Sequence, residues 1–307
     1  MSDISVTPGA PKRGLKYVFV GPDGLRAGWS ALLFIAITAA VLFTIRSGLH
    51  AIHFHAPHSD STVMDAIGTM FQEALLSIIL LIATLVAALV TRQKLSQLGF
   101  SLTNALPRFI QGLVVGVAAL SGLVGLLYVC GAIKFGPIAL HGADIWRSGG
   151  MWALAFLLVG VFEELAFRGF LQQVIARGLN FRWACLIMGV LFTIPHAFNT
   201  GETPLGLVGV FIAGAVLSLS VWRTGTIWWA IGFHAAWDWT QSFLFGVADS
   251  GQPSAGTFMT AVPIGPEWLS GGATGPEGSV LDLAVTAVIA IIIMVTLRKD
   301  HDLKIKW

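Results

Sequence analysis

Long apolar stretches separated by short polar ones set the pattern of the chain. About eight of them approach the roughly 20 mostly apolar residues that a helix needs to cross a bilayer. They run over 27–45, 70–90, 109–131, 151–176, 183–198, 205–222, 226–246 and 280–297. The fifth and sixth are short, which predicts tilted or broken helices. The pattern predicts an all-α fold, a polytopic transmembrane bundle of about eight spans, with no internal repeat and no soluble domain. Two polar loops interrupt it. One covers 46–69, and a longer one rich in Gly, Pro and Ser covers 247–279. The chain thus divides into a polar segment 1–26, helices over 27–150, a second helical group over 151–246, the loop 247–279, and a last helix with a basic tail over 280–307.

Composition strengthens the membrane reading. Hydrophobic residues make up 55% of the chain and charged ones 11%, with mean hydropathy +0.80. Soluble domains carry roughly 25% charged residues, so this chain lacks the polar surface to face water all round. The net charge of +2 gives no reason to expect a nucleic-acid partner. The polar start contains Lys12, Arg13, Lys16 and Arg26, so the first apolar run reads as a signal anchor rather than a cleaved leader.

The distribution of charge says more than its sum. Cytoplasmic loops are enriched in Lys and Arg. One side of the predicted bundle receives the four residues just named together with Arg92, Lys94, Arg108, Arg177, Arg182, Arg223, Arg298, Lys299, Lys304 and Lys306. The other receives Arg46, Lys134 and Arg147. Both termini are therefore expected in the cytoplasm of a multi-pass protein of the cell membrane, and the loop 247–279 outside. Cys130 and Cys185 sit in apolar runs and read as small core hydrophobes, with no disulfide framework. Gly112, Gly116, Gly122 and Gly125 read as packing positions, because small residues let membrane helices approach closely. His50, His53, His55 and His58 read as a solvated interfacial loop, with metal capture as the weaker alternative.

Ionisable side chains deep in a bilayer cost about 2.5–3.5 kcal/mol each on insertion scales, so they persist where they pair or line a polar cavity. The deep ones here are Glu163, Glu164 and Arg168 in the fourth stretch, His196 in the fifth, and His234 and Asp238 in the seventh. Glu73 lies near the outer end of the second stretch, within reach of headgroups. Glu164 and Arg168 are four residues apart and share a helix face, as do His234 and Asp238. Glu163 points about 100° away from Glu164, which predicts different partners for the two carboxylates. Pro195 precedes His196 and removes a helical donor. By helical rise, Glu163 lies roughly 18 Å from the outer end of its stretch, His196 roughly 20 Å and His234 roughly 12 Å from the inner ends of theirs. In a core of about 30 Å the three can converge. With neutral histidines, three carboxylates against one guanidinium leave a buried charge of −2. A proton, a histidinium or a divalent cation must offset it.

These residues also carry a resemblance. Glu163-Glu164-Leu165-Ala166-Phe167-Arg168 reads EExxxR, Phe192 to His196 reads FxxxH, and His234 to Asp238 reads HxxxD. In this order, each on its own apolar stretch, they resemble the CPBP family of intramembrane proteases. That family includes the type II CAAX prenyl endopeptidases and the bacterial Abi proteins linked to bacteriocin self-immunity. Phe167 to Gln172 continues the first motif, and Lys94 to Phe100 is similar to a segment often found upstream. The family-like region is about 150–245.

The resemblance implies hydrolysis of a peptide bond in a peptide or protein substrate in or at the membrane. Glu163 matches the general base, His196 a water-holding histidine, and His234 and Asp238 the residues beside the developing oxyanion. Glu164 and Arg168 match a supporting pair. Asp238 departs from the Asn usual in the prenyl endopeptidases. An ionised carboxylate repels an oxyanion, so Asp238 is either protonated or orients His234. Cofactors stay open between none and a divalent cation such as zinc. A metalloprotease would use Glu163, His196 and His234, a ligand type known from catalytic zinc sites, although no HExxH is present. Two readings outside catalysis also stand, an ion- or proton-coupled transporter and a catalytically silent immunity or scaffold protein.

Overall fold

The computed structural model describes residues 16–21, 24–54, 57 and 63–298. His55, His58 and the basic residues of both chain ends, Lys12, Arg13, Lys299, Lys304 and Lys306, lie outside the described residues. A short turn α1 (Lys16–Phe19) leads into a two-stranded antiparallel ribbon, β1 (Val20–Gly21) with β2 (Gly24–Leu25). The bundle follows: α2 (Ala27–Ala51), α3 (Ala66–Thr91), α4 (Ala105–Val129), α5 (Ala143–Phe167), α6 (Phe170–Gly178), α7 (Phe181–His196), α8 (Pro204–Thr224), α9 (Trp228–Asp238) and α11 (Val280–Thr296). A π-helical turn, Trp239–Phe245, continues α9.

The fold is the expected all-α polytopic bundle, and each apolar stretch is helical. Five helical stretches are long and apolar enough to cross a membrane: Ala27–Ala51, Ala66–Thr91, Ala105–Val129, Ala143–Gly178 and Pro204–Thr224. Phe181–His196 and Val280–Thr296 are shorter apolar helices. Local signals set several starts. Asp65, Asn180, Thr203 and Ser279 each accept a hydrogen bond from a backbone N–H of the first turn that follows, satisfying a donor the helix leaves free. The fourth stretch, expected as one helix, is broken instead. Backbone N–H groups of Arg168 and Gly169 both converge on Glu164 O, ending α5, and a side chain at Gly169 would meet Leu165 O at 2.7 Å.

Close helix packing holds α9 in place. A Cβ at Gly112 would lie 2.2 Å from Trp229 O, and one at Gly116 would lie 2.5 Å from Phe233 O, so α4 rests directly on the backbone of α9. Gly232 returns the contact against Phe109 O. On the opposite side Gly160 of α5 faces Ile231 O at 3.2 Å and Ala235 N at 3.3 Å. Thus α9 is wedged between α4 and α5 at backbone distance. Gly122 and Gly125, expected in the same role, face open space. Their helix face turns outward, uncovered by any other described residue. Cys130 likewise is exposed at the end of α4, whereas Cys185 is buried, and neither forms a disulfide.

The long polar loop is more ordered than its composition suggests. β3 (Ile133–Phe135) pairs antiparallel with β4 (Ala261–Pro263). α10 (Glu267–Ser270) and a 3-10 turn, Pro276–Gly278, follow. Trp152 Nε1 donates to Ala255 O, and the backbone of Met64 exchanges hydrogen bonds with Pro253 and Ala255. The loop is therefore tied to α5 and to the start of α3, and caps one end of the bundle.

Candidate active site

Three elements bring the polar residues together. Glu163 and Glu164 come from the last turns of α5, Arg168 from its C-cap, and His234 and Asp238 from α9. The wedged packing of α9 sets how far its histidine reaches towards α5. His234 is the hub. Its Nδ1 lies 3.0 Å from Glu164 Oε1, and its Nε2 lies 3.4 Å from Glu163 Oε2 and 3.7 Å from Asp238 Oδ2. The 100° offset between Glu163 and Glu164 does separate the carboxylates, but both reach the same imidazole through opposite nitrogens. Different partners were expected. One planar ring with nitrogens on two edges serves both.

Glu164 is fully buried and doubly held. Arg168 Nη1 donates to the same Oε1 at 3.1 Å, and Arg168 Nη2 donates to Gly214 O on α8 at 3.2 Å. The guanidinium carbon stands 4.3 Å from the centroid of the Phe192 ring, a cation–π placement. A buried cation needs such neighbours, because removing one partner leaves an uncompensated charge. Glu163 is different. Its side chain keeps 18% of its surface accessible, against 0% for Glu164, and it lines the cavity while Oε2 turns to His234 Nε2 at 3.4 Å. It is the carboxylate that a water molecule can reach.

His196 reaches the same cavity by another route. It is the last residue of α7, two residues short of the end expected for its stretch. Nδ1 lies 2.8 Å from Phe192 O. A carbonyl oxygen only accepts, so Nδ1 carries the proton and Nε2 of a neutral ring offers a lone pair. The Phe192 ring packs against both His196 and His234, with centroids 4.8 Å and 6.2 Å away. No direct bond joins the two histidines or joins His196 to Glu163.

A cavity of about 390 Å³ connects these groups, lined by Glu163, His196, His234 and Asp238 among others. It extends towards the capped end of the bundle, where Asp249, Glu277 and Asp282 line it, and towards α3, where Glu73 does. Sequence reasoning passed over Asp249, Glu277 and Asp282. Glu73 is buried, 8% exposed, and faces the cavity instead of the headgroups. Asp282 lies inside an apolar stretch, a visible signal; Asp249 and Glu277 sit in a polar loop, where carboxylates give none. Glu277 is saturated: Oε1 accepts from Trp237 Nε1 at 2.8 Å, and Oε2 accepts from Ser250 N and Ser250 Oγ. It staples the loop to α9. In the loop, burial and the neighbouring Asp238 and Glu277 charges push the Asp249 carboxyl well above its usual range.

The zinc alternative fits this arrangement poorly. Among the described residues no group of three or more His, Cys, Asp and Glu is disposed to hold a metal ion. Both ring nitrogens of His234 already face carboxylates, and Nδ1 of His196 faces a carbonyl oxygen.

Residues 145–240 match the family of type II CAAX prenyl endopeptidase Rce1-like proteins. The match spans all three motifs and is consistent with the CPBP family; at the family level it supports a CAAX-type intramembrane endopeptidase. No curated protein matches the chain.

Proposed function

With the Rce1-like match over residues 145–240 as the premise, we propose that this protein is an intramembrane endopeptidase in which Glu163 activates water. The observation that carries the reading is the contrast between the two adjacent carboxylates. Glu164 is fully buried between Arg168 and His234, while Glu163 keeps part of its side chain exposed and lines the cavity.

The steps follow from what each group can donate or accept. Water held between Glu163 and Nε2 of His196 loses a proton to the Glu163 carboxylate as its oxygen attacks the scissile carbonyl. The developing oxyanion needs donors already in place. A protonated His234 supplies one, and a protonated Asp238 supplies another. Collapse of the tetrahedral intermediate breaks the C–N bond, and Glu163 returns its proton to the leaving nitrogen. Glu164 and Arg168 fix the level and orientation of His234.

The test is product analysis. Purified protein in liposomes is incubated with membrane-anchored peptides, prenylated and unprenylated, with and without chelator. Mass spectrometry should find a single new peptide bond cut, insensitive to chelator. Loss of cleavage on chelation, restored by zinc, would replace glutamate catalysis with metal catalysis. Proton or sodium uptake into the liposomes, without cleavage, would favour the transporter reading.

A further inference from the structure

The cavity wall carries six carboxylates, Glu73, Glu163, Asp238, Asp249, Glu277 and Asp282, and no Lys or Arg among the described residues. The buried guanidinium of Arg168 is committed to Glu164 and Gly214 and does not line it. Several of the acids have only weak or partial partners. Asp238 is 4% exposed, and its nearest basic atom is His234 Nε2 at 3.7 Å. Asp282 is 3% exposed and has only Thr286 Oγ1 at 3.5 Å. Glu73 Oε2 has no hydrogen bond at all. A buried carboxyl of this kind is costly to ionise until a cation arrives to share its charge.

Resting on the endopeptidase reading, we infer that the cavity selects substrates with a Lys or Arg side chain close to the scissile bond. The acids stand on separate elements, α3, α9, the capping loop and α11, around an elongated space rather than one point. A bare divalent ion needs its oxygens within about 2.0–2.6 Å of a common centre, and no group of three is so placed. A basic side chain suits the space better. Its methylene stem lies along the apolar wall, where Phe156, Val159 and Phe162 stand, and its charged head reaches the carboxylates beyond. The cavity that these acids share with Glu163, His196 and His234 places the cation binding region next to the reacting groups. Asp249 and Asp282 place it towards the capped end.

The test uses three fluorogenic peptides identical except for one residue near the cleaved bond: Lys, Gln or Glu. Wild type, Asp282→Asn and Asp249→Asn protein are compared in liposomes. Wild type should cleave the Lys peptide with kcat/KM at least about tenfold above Gln, and Glu should be poorest. Each Asn variant should shrink the Lys-to-Gln ratio to about threefold or less. The ratio is taken within one preparation, so a lower yield of folded protein does not alter it. Equal rates on the three peptides, or an undiminished ratio in both variants, overturns the inference. Binding is read separately by fluorescence anisotropy of the same peptides on Glu163→Gln protein. Lys-selective binding without cleavage by wild type would sink the endopeptidase reading and keep the cation site. Unselective binding would overturn the cation site whatever the cleavage result.

Discussion

The two ends of the cavity hold similar side chains in opposite states. At the α5–α9 end, Glu164, Arg168 and His234 hold one another, and of the two α5 carboxylates only Glu163 lines the cavity. At the capped end, Asp249 and Asp282 line open space with no basic side chain among the described residues to meet them. The difference teaches how to separate scaffold from site within one polar cluster. Charges that balance locally fix geometry, and charges left unbalanced beside a cavity define what the cavity takes up.

Breaking the balanced end should have the largest effect. Arg168→Ala strands Glu164 at full burial, and loss of one partner of a buried pair costs about 3–5 kcal/mol. Thermal unfolding in detergent should show a sharply lowered midpoint and poor yield. A midpoint close to wild type would mean that Arg168 is not the counter-ion that its 3.1 Å contact indicates.

Asp238 lies where the two ends meet, so it sharpens the comparison. As a protonated donor it is replaced well by Asn, and Asp238→Asn should stay within about tenfold of wild type. Asp238→Ala should lose roughly a hundredfold or more, as removing one oxyanion donor does. Single-turnover cleavage of one peptide by the three proteins decides it. Equal losses in both variants would assign Asp238 to orienting His234.

Packing should matter less than charge but in a site-dependent way. Gly112→Ala places a Cβ 2.2 Å from Trp229 O and must push α9 away from α4, whereas Gly122→Ala meets nothing. Overpacking costs about 1–3 kcal/mol, so the first variant should lower stability and turnover together and the second should leave both unchanged. Similar behaviour of the two would contradict the wedged placement of α9.

The smallest effect concerns the unbalanced end and pH. Asp249 has its folded pKa raised by burial, then by Asp238 and Glu277, with His234 opposing and Glu163 adding. A group so raised favours the folded state below its unfolded pKa, and that contribution is lost as pH climbs through the folded pKa. The unfolding midpoint of wild type should therefore drift down as pH rises above the ordinary carboxylate range, and Asp249→Asn should flatten the drift. An unchanged slope in the variant would remove Asp249 as its source.

Much of the α5–α9 end was legible because helical spacing is a local property. Glu164 with Arg168 and His234 with Asp238, four residues apart, share faces in the sequence and in the structure. His196 closes α7, two residues before the expected end of its stretch, and Pro195 beside it was the sequence sign of that end. The break at Arg168–Gly169 was hidden; it depends on a close approach to Leu165 O that hydrophobicity does not report. The capped end was illegible for a different reason. Asp249 and Glu277 look like ordinary loop residues until long-range hydrogen bonds fold the loop over the cavity, and Glu73 needs the angle of α3 to show that it faces inward.

Glu163→Gln is the most direct test of the central claim, because the amide keeps size and hydrogen bonding but cannot take a proton from water. The measurement is single-turnover cleavage by purified variant and wild type, with thermal midpoint and peptide affinity recorded on the same preparations. The account predicts that cleavage falls by about 10²–10⁴-fold while midpoint and affinity stay near wild type. Cleavage at the wild-type rate by folded Glu163→Gln protein would contradict it.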